Sequence, residues 1–127
     1  MQKTVLIVDD ERALRTVMRD CLERESYKVL EASTGHEGID LMRAEPVDVL
    51  LLDVMMPGIS GIEVAKYIQK TDTIKHKPQI VMLTNKGDME TVAEAVSANA
   101  FTYVIKSDSS LTEVVEMVAD IMNGLEE

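Results

Sequence analysis

The sequence predicts an α/β sandwich in which a parallel sheet of five strands lies between two layers of helices. Five short apolar runs alternate along the 127 residues with longer segments of helical periodicity. Three of these runs are nearly continuous aliphatic residues, as in strands that are buried on both faces of a parallel sheet. A β-α order repeated five times implies right-handed crossovers and helices on both sides of the sheet.

The five apolar runs are short enough to be strands and are separated by turn-forming residues such as Gly35, Pro46 and Pro78. They contain mostly valine, leucine and isoleucine, which fit a buried pleated surface. The predicted strands are Val5–Val8, Val29–Ala32, Val49–Leu52, Ile80–Leu83 and Phe101–Ile105.

The segments between the runs are predicted to be amphipathic helices. Ser60 with Glu63, and Ser110 with Glu113, have the spacing of a capping box at the start of a helix. Asp88 is a candidate N-cap for a fourth helix from about 89 to 98. The first helix is predicted to bury one face made of Leu14, Val17, Met18, Cys21 and Leu22, and the last helix one made of Leu111, Val114, Val115, Val118, Ile121 and Met122.

The charge of the chain limits its partners. It carries 23 acidic and 13 basic residues, a formal net charge of -10. A nucleic-acid-binding protein needs a basic surface to replace counterions, so direct nucleic-acid binding is not expected, and neither is binding to an anionic membrane. The charge favours cations or basic partners.

Cysteine usage and hydropathy predict a cytoplasmic location. Cys21 is the single cysteine and cannot form an internal disulfide, which fits a reducing compartment. The apolar run near the N-terminus is too short for a signal peptide, and no run approaches the roughly 20 residues of a membrane span.

Reactive side chains follow four of the five predicted strands. Asp9 and Asp10 follow the first strand, Asp53 the third, Thr84 the fourth and Lys106 the fifth. Ligands of open parallel sheets bind beyond the carboxyl ends of the strands, where these residues must meet. The sequence therefore predicts one site with several carboxylates, a hydroxyl and an ammonium group.

Carboxylates crowded at such a site favour a divalent cation. Two of them about 5 Å apart repel by roughly 3 kcal/mol at an effective dielectric constant near 20. Hard oxygen ligands with space left for water suit Mg²⁺, which would keep Asp53 ionised. An ionised Asp53 could attack phosphorus and form an aspartyl phosphate, with Lys106 and the metal neutralising the transferring group.

The motifs at the strand ends resemble those of the receiver domain of bacterial two-component response regulators, of the kind found in chemotaxis regulators. They are Val8-Asp9-Asp10, Asp53 with Met56-Pro57-Gly58, Leu83-Thr84 and the segment 103–106. The resemblance covers essentially the whole chain. It implies a flavodoxin-like (βα)₅ sandwich with strand order 2-1-3-4-5, formed by a single domain over residues 1–127 with no output domain in this chain.

The resemblance also implies a role for each acidic residue. Asp53 corresponds to the phosphoacceptor, Asp10 to a direct Mg²⁺ ligand and Asp9 to a ligand that acts largely through water. Asp53 itself and the backbone carbonyl of Met55 correspond to the remaining protein ligands of the metal. The phosphoryl donor implied for the family is a sensor histidine kinase, a phosphotransfer protein or a small phosphodonor.

The same resemblance assigns roles to three further residues, Lys106 and Thr84 in the chemistry and Thr84 and Tyr103 in the switch. Lys106 corresponds to the lysine that pairs with the phosphoryl group, Thr84 to the hydroxyl that reorients toward it, and Tyr103 to the aromatic side chain whose rotamer follows. Phosphorylation is expected to remodel the face formed by the fourth helix, fifth strand and fifth helix for an unidentified downstream protein, in a monomer or a phosphorylation-dependent dimer. Ser107 stands where the family commonly has a proline after a cis peptide bond.

Two other functions fit parts of the pattern. A Mg²⁺-dependent phosphohydrolase would also use an aspartyl intermediate, but that class usually has a second acid two residues after the nucleophile, where this chain has Met55. A receiver-like binding module that has lost phosphotransfer commonly lacks one of the acids or the lysine, all of which are present. We therefore expect a protein that catalyses only its own phosphorylation and dephosphorylation.

Overall fold

A parallel sheet of five strands forms the centre of the molecule. The computed structural model describes residues 2–88, 90, 93, 102–106 and 110–126. The strands are β1 (Thr4–Val8), β2 (Lys28–Ala32), β3 (Val49–Asp53), β4 (Gln79–Thr84) and β5 (Thr102–Ile105). They lie in the order β2-β1-β3-β4-β5, which confirms the predicted topology.

The two central strands are buried along their whole length. Every residue of β1 and β3 is buried, as their continuous aliphatic sequences predict. Their register pairs Val8 with Leu52, so the residues that follow the two strands emerge side by side. The sheet therefore places Asp9 next to Asp53 before any side-chain interaction is considered.

Helices cover both faces of the sheet and enclose two separate apolar clusters. The helices are α1 (Arg12–Arg24), α2 (Gly35–Ala44), α3 (Gly61–Lys70) and the C-terminal helix (Leu111–Glu126). One cluster packs α2 and α3 against the sheet through residues such as Ile39 and Ile68. The other packs α1 and the C-terminal helix against the sheet through residues such as Leu22 and Val118.

The predicted helix starts are largely confirmed. Ser60 and Glu63 form a complete capping box at α3, and the Ser110 hydroxyl accepts the backbone N–H of Glu113 at 3.2 Å. Asp88 lies in a short 3₁₀ turn, Lys86–Asp88. Most of the predicted fourth helix, together with Phe101 and Ser107, lies outside the described residues.

Two predictions about the buried face of α1 are wrong. Val17 is 44% exposed, because it lies about 100° around the helix from the buried Met18. Cys21 is half-buried instead of lying in the core, and it lines a cavity of about 330 Å³ between α1 and the C-terminal helix. Within the described residues, no helix has the length and apolarity needed to cross a membrane.

The start of α3 packs directly against the backbone of Asp53. The N–H of Gly61 donates to the carbonyl of Val54 at 2.9 Å. A methyl group on Gly61 would overlap the carbonyl oxygen of Asp53, so no larger residue fits without a backbone shift. The loop after β3 therefore depends on a glycine at this position.

We expect Gly61→Ala to lower the free energy of unfolding by about 1–3 kcal/mol, the usual cost of overpacking. Gly124→Ala is the matched control, because Gly124 lies in the C-terminal helix with open space around its Cα. That change should be neutral or stabilise the protein by up to about 1 kcal/mol through helix propensity. Urea denaturation measures both, and equal stability of Gly61→Ala and the wild type would contradict the close packing.

Candidate functional site

Three carboxylates meet at the carboxyl edge of the sheet, as the sequence predicts. Asp9 and Asp53 are buried, with 0% and 4% of their surface exposed, whereas Asp10 is exposed. One carboxylate oxygen from each residue lies within 4.8 Å of the others. Oxygen atoms on opposite sides of Mg²⁺ lie about 4.2 Å apart at its usual bond lengths, so a small closure brings all three into ligand distance.

The backbone explains why these side chains meet. Asp53 is the last residue of β3, and the N–H of Val54 continues the ladder by donating to the carbonyl of Leu83 at 3.0 Å. The N–H of Asp9 likewise donates to the carbonyl of Ala32 at 3.1 Å. Both acids are thus held by sheet-like hydrogen bonds to neighbouring strands.

Lys106 connects the two buried carboxylates. Its Nζ lies 2.8 Å from Oδ2 of Asp9 and 3.2 Å from Oδ1 of Asp53. The lysine follows β5, and its backbone N–H donates to the carbonyl of Thr84 at 2.8 Å. Because only 18% of its side chain is exposed, the ammonium supplies positive charge where little water can do so.

The electrostatics of the cluster shift two pKa values. Burial and the neighbouring Asp9 charge raise the pKa of Asp53 to about 6, against an opposing effect of Lys106. Burial disfavours the charged form of Lys106, but its contacts with Asp9 and Asp53 outweigh this and raise its pKa. Lys106 is therefore charged at neutral pH. Asp53 is mostly ionised at that pH, although burial and the charge of Asp9 disfavour its ionised form.

Thr84 is in place at the site but its hydroxyl points elsewhere. The residue is buried, and its Oγ1 donates to the carbonyl of Asn85 at 3.1 Å. Tyr103 is 39% exposed and lies three residues before Lys106 on β5, roughly 10 Å away along the strand. The Met55 side chain is 57% exposed. The switch roles of Thr84 and Tyr103 and the ligand role of the Met55 carbonyl stay predictions.

The structure adds Arg15 to the residues that surround the site. Its Nη1 donates to the backbone carbonyl of Asp9 at 2.7 Å, and its Nε pairs with Glu31 at 3.3 Å. Sequence reasoning missed this contact because Arg15 is six residues from Asp9 and belongs to no motif. The available signal was its place in the first turns of α1, where side chains lean toward the N-terminus of the helix.

Asp9 and Asp10 lie just before α1, where carboxylates can also stabilise the start of a helix. Glu11 is the N-cap and makes no side-chain capping bond. Asp9 Oδ1 accepts the N–H of Glu11 at 2.9 Å, but its Oδ2 binds Lys106. Asp9 thus serves both the loop and the carboxylate cluster.

A sheet of order 2-1-3-4-5 with three carboxylates and a lysine at its carboxyl edge is typical of signalling domains that are controlled by phosphorylation. The three carboxylates are consistent with a Mg²⁺ site by their oxygen chemistry and spacing. Comparison with known proteins then gives the family. The family model described as the response regulator receiver domain matches residues 5–119, and this chain belongs to that family.

Individual relatives agree with this assignment. The chain is 37% identical over 115 residues to the transcriptional regulatory protein ResD of Bacillus subtilis, a match that covers 91% of this chain and 46% of ResD. It is 36% identical over 119 residues to SrrA of Staphylococcus aureus, covering 94% and 48%. The chain therefore spans about half the length of the curated relatives that it matches.

Solved structures show the same fold. A CheY-like response regulator receiver domain protein from Methanospirillum hungatei has a TM-score of 0.84 at 25% identity, covering 99% of this chain and 98% of that one. The response regulator TrrA from Thermotoga maritima, solved in complex with Mg²⁺-BeF, has a TM-score of 0.79 at 31% identity, covering 94% and 99%. The chain thus functions in phosphorylation-type two-component signalling, in which receiver domains partner with histidine kinases and are typically not true enzymes.

The raised pKa of Asp53 predicts a pH-dependent cost to folding in metal-free buffer. Well below the unfolded pKa of 3.8 the carboxyl is protonated in both states and the cost is absent. As pH rises, the unfolded chain ionises first, so stability falls until the folded group ionises near pH 6. The shift of about two units corresponds to at most about 3 kcal/mol.

We therefore expect Asp53→Asn to be more stable than the wild type in EDTA, by a margin that grows between pH 4 and pH 7. Urea unfolding at several pH values measures it. Asp40→Asn, which removes an exposed carboxylate from α2, controls for the loss of one negative charge. A margin that is the same at pH 4 and pH 7 would be inconsistent with strain at Asp53.

Proposed function

We propose that Asp53 is the phosphoacceptor of this receiver domain, and that its donor is a sensor histidine kinase or a phosphotransfer protein. The observation that carries the proposal is the position of the Lys106 ammonium, within 3.2 Å of both Asp53 and Asp9. A largely buried ammonium beside a carboxylate at the carboxyl edge of a parallel sheet is suited to hold a transferring phosphoryl group.

In the proposed reaction, an oxygen of the Asp53 carboxylate attacks phosphorus while the bond from phosphorus to the donor's histidine nitrogen breaks. The bonding electrons leave with the imidazole, and Asp53 becomes an acyl phosphate. Lys106 then contacts the phosphoryl oxygens and retains its bond to Asp9, so its ammonium group is paired with both the phosphoryl group and the Asp9 carboxylate. The pKa of about 6 leaves Asp53 mostly ionised and ready to attack at neutral pH.

Asp9, Asp10, Asp53 and the backbone carbonyl of Met55 are the proposed holders of Mg²⁺. When bound, the metal would supply positive charge to the phosphoryl oxygens and relieve the repulsion among the carboxylates. The convergence of three carboxylates supports this assignment. So does the T. maritima relative that was solved in complex with Mg²⁺-BeF.

The proposed switch begins at Thr84. Its hydroxyl exchanges the carbonyl of Asn85 for the phosphoryl group by rotation of the side chain. Tyr103, now 39% exposed at the edge of the sheet, moves inward into the space that Thr84 leaves. The face that responds includes β5 and the C-terminal helix, together with the predicted fourth helix, most of which lies outside the described residues.

The proposal also covers the extent, location, oligomeric state and output of the domain. Residues 1–127 would be one receiver domain in the cytoplasm, a monomer or a phosphorylation-dependent dimer, which passes its state to another protein. With a net charge of -10, it would not itself bind nucleic acid. It would catalyse only its own phosphorylation and dephosphorylation.

Intact-mass spectrometry tests the phosphoacceptor. With Mg²⁺ and acetyl phosphate or phosphoramidate, we expect the wild type to gain one phosphoryl group that hydroxylamine removes, as it does from acyl phosphates. Asp53→Asn should gain none. Asp72→Asn, at an exposed acid in the loop after α3, should be modified like the wild type.

The proposal fails if Asp53→Asn is modified to the wild-type extent, or if the wild type takes up no phosphoryl group from either donor. Omission of Mg²⁺ provides a second control. Modification at the same rate in EDTA would remove the metal from the proposal.

A further inference from the structure

Asp9 is held through four different atoms. Its N–H donates to the carbonyl of Ala32, and its Oδ1 accepts the N–H of Glu11. Its Oδ2 binds Lys106, and its backbone carbonyl accepts Nη1 of Arg15. Of these four bonds, only the one to Arg15 comes from a side chain that has no part in the proposed phosphoryl chemistry.

The bond to Arg15 fixes a particular peptide plane. The carbonyl of Asp9 belongs to the peptide that joins Asp9 to Asp10, and a peptide unit is rigid. The following peptide, which ends in the N–H of Glu11, is fixed by Oδ1 of Asp9 at 2.9 Å. Both peptide planes that flank Asp10 are therefore held, although the Asp10 side chain itself is exposed.

Arg15 is in turn anchored by the edge strand. Its Nε pairs with Oε1 of Glu31 on β2 at 3.3 Å, and only 13% of its side chain is exposed. Glu31 directly precedes Ala32, whose carbonyl accepts the Asp9 N–H. Two successive residues of β2 thus hold the acidic loop, one through the backbone and one through Arg15.

We propose that Arg15 is a positioning residue for the metal site, which sets the direction of Asp10 by fixing the Asp9–Asp10 peptide. The inference rests on the proposed function in that it takes these carboxylates as Mg²⁺ ligands. Partners that orient ligands from outside the coordination sphere commonly change metal affinity by about 10- to 100-fold when they are removed.

The chain provides a matched control in Arg19. Its Nη1 pairs with Oε2 of the same Glu31 at 2.6 Å, one turn further along α1. Arg19 also pairs with Glu23, through Nε at 3.2 Å. Removing Arg19 therefore costs an ion pair with Glu31 and one positive charge on α1, but leaves the Asp9 carbonyl bond in place.

Charge and geometry predict opposite results for Arg15. If Arg15 acted only as a positive charge near the carboxylates, its removal would strengthen Mg²⁺ binding. If it positions the peptide, its removal weakens binding. Arg15→Lys separates the two effects further, because lysine keeps the charge but cannot donate to the Asp9 carbonyl and to Glu31 in the fork geometry of a guanidinium.

The test is a Mg²⁺ titration of the full chain without phosphodonor, followed by isothermal calorimetry. We expect Arg15→Met to raise the dissociation constant roughly tenfold, the lower end of the effect of such partners, and Arg15→Lys to raise it less. Arg19→Met should stay within about twofold of the wild type. Backbone amide exchange in EDTA should be faster at Glu11 in Arg15→Met than in Arg19→Met, because the loop is held less firmly.

Tighter or unchanged Mg²⁺ binding in Arg15→Met would overturn the positioning role, and so would an equal loss in Arg19→Met. Because Arg15→Lys preserves the charge and the length of the side chain, it keeps the test decisive if the methionine variant folds poorly. The wild type distinguishes the two proposals: normal Mg²⁺ binding with no phosphoryl uptake rejects Asp53 as phosphoacceptor and leaves the role of Arg15 to be judged from the titration.

Discussion

The contact of one ammonium group with two buried carboxylates is the interaction on which the site depends. Parallel pairing of β1 with β3 brings Asp9 and Asp53 together whatever their charge, because each comes directly after a residue of the pair Val8 and Leu52. Lys106 lies between them, and its side chain is 82% shielded from solvent. The site therefore holds two negative charges and one positive charge where water screens poorly. Burial and then the charge of Asp9 raise the pKa of Asp53. The remaining excess of negative charge, to which Asp10 adds, makes a hard divalent cation a favourable ligand.

The surrounding structure keeps this arrangement from relaxing. Gly61 lets the first turn of α3 lie against the carbonyl of Asp53, and the ladder bond from Val54 to Leu83 extends β3 past its last residue. Arg15 and Ala32 hold Asp9 in a similar way. The backbones of Asp9 and Asp53 cannot move apart without breaking these hydrogen bonds, so the fold keeps the two buried carboxylates close together. Under the proposed function, a bound cation would relieve the repulsion between these carboxylates, which would connect the electrostatics of the site to metal binding.

Much of the fold and the site follows from sequence because both depend on local patterns. Apolar runs locate the strands, and the topology then brings the ends of these strands together. Asp9, Asp53, Thr84 and Lys106 could therefore be assigned to one site from the sequence alone. Side-chain direction is not coded in this way. Lys106 binds both buried acids because of packing between distant segments. Arg15 reaches back to the Asp9 carbonyl, a contact that no sequence motif marks. Val17 shows the same limit on a helix, where its apolar character matched the buried face but its angular position did not.

Crowded carboxylates are expected to make the metal-free fold less stable than the fold with a cation bound. Urea unfolding at pH 7 over a series of Mg²⁺ concentrations tests it most directly, because a ligand that binds only the folded state raises its stability by RT ln(1 + [L]/Kd). The expected stabilisation follows this relation and reaches about 2.7 kcal/mol at a hundredfold excess over the dissociation constant. Most of this gain should be lost in Asp53→Asn. A free energy of unfolding that does not change with Mg²⁺ up to tens of millimolar, roughly the range of a weak site, would contradict it.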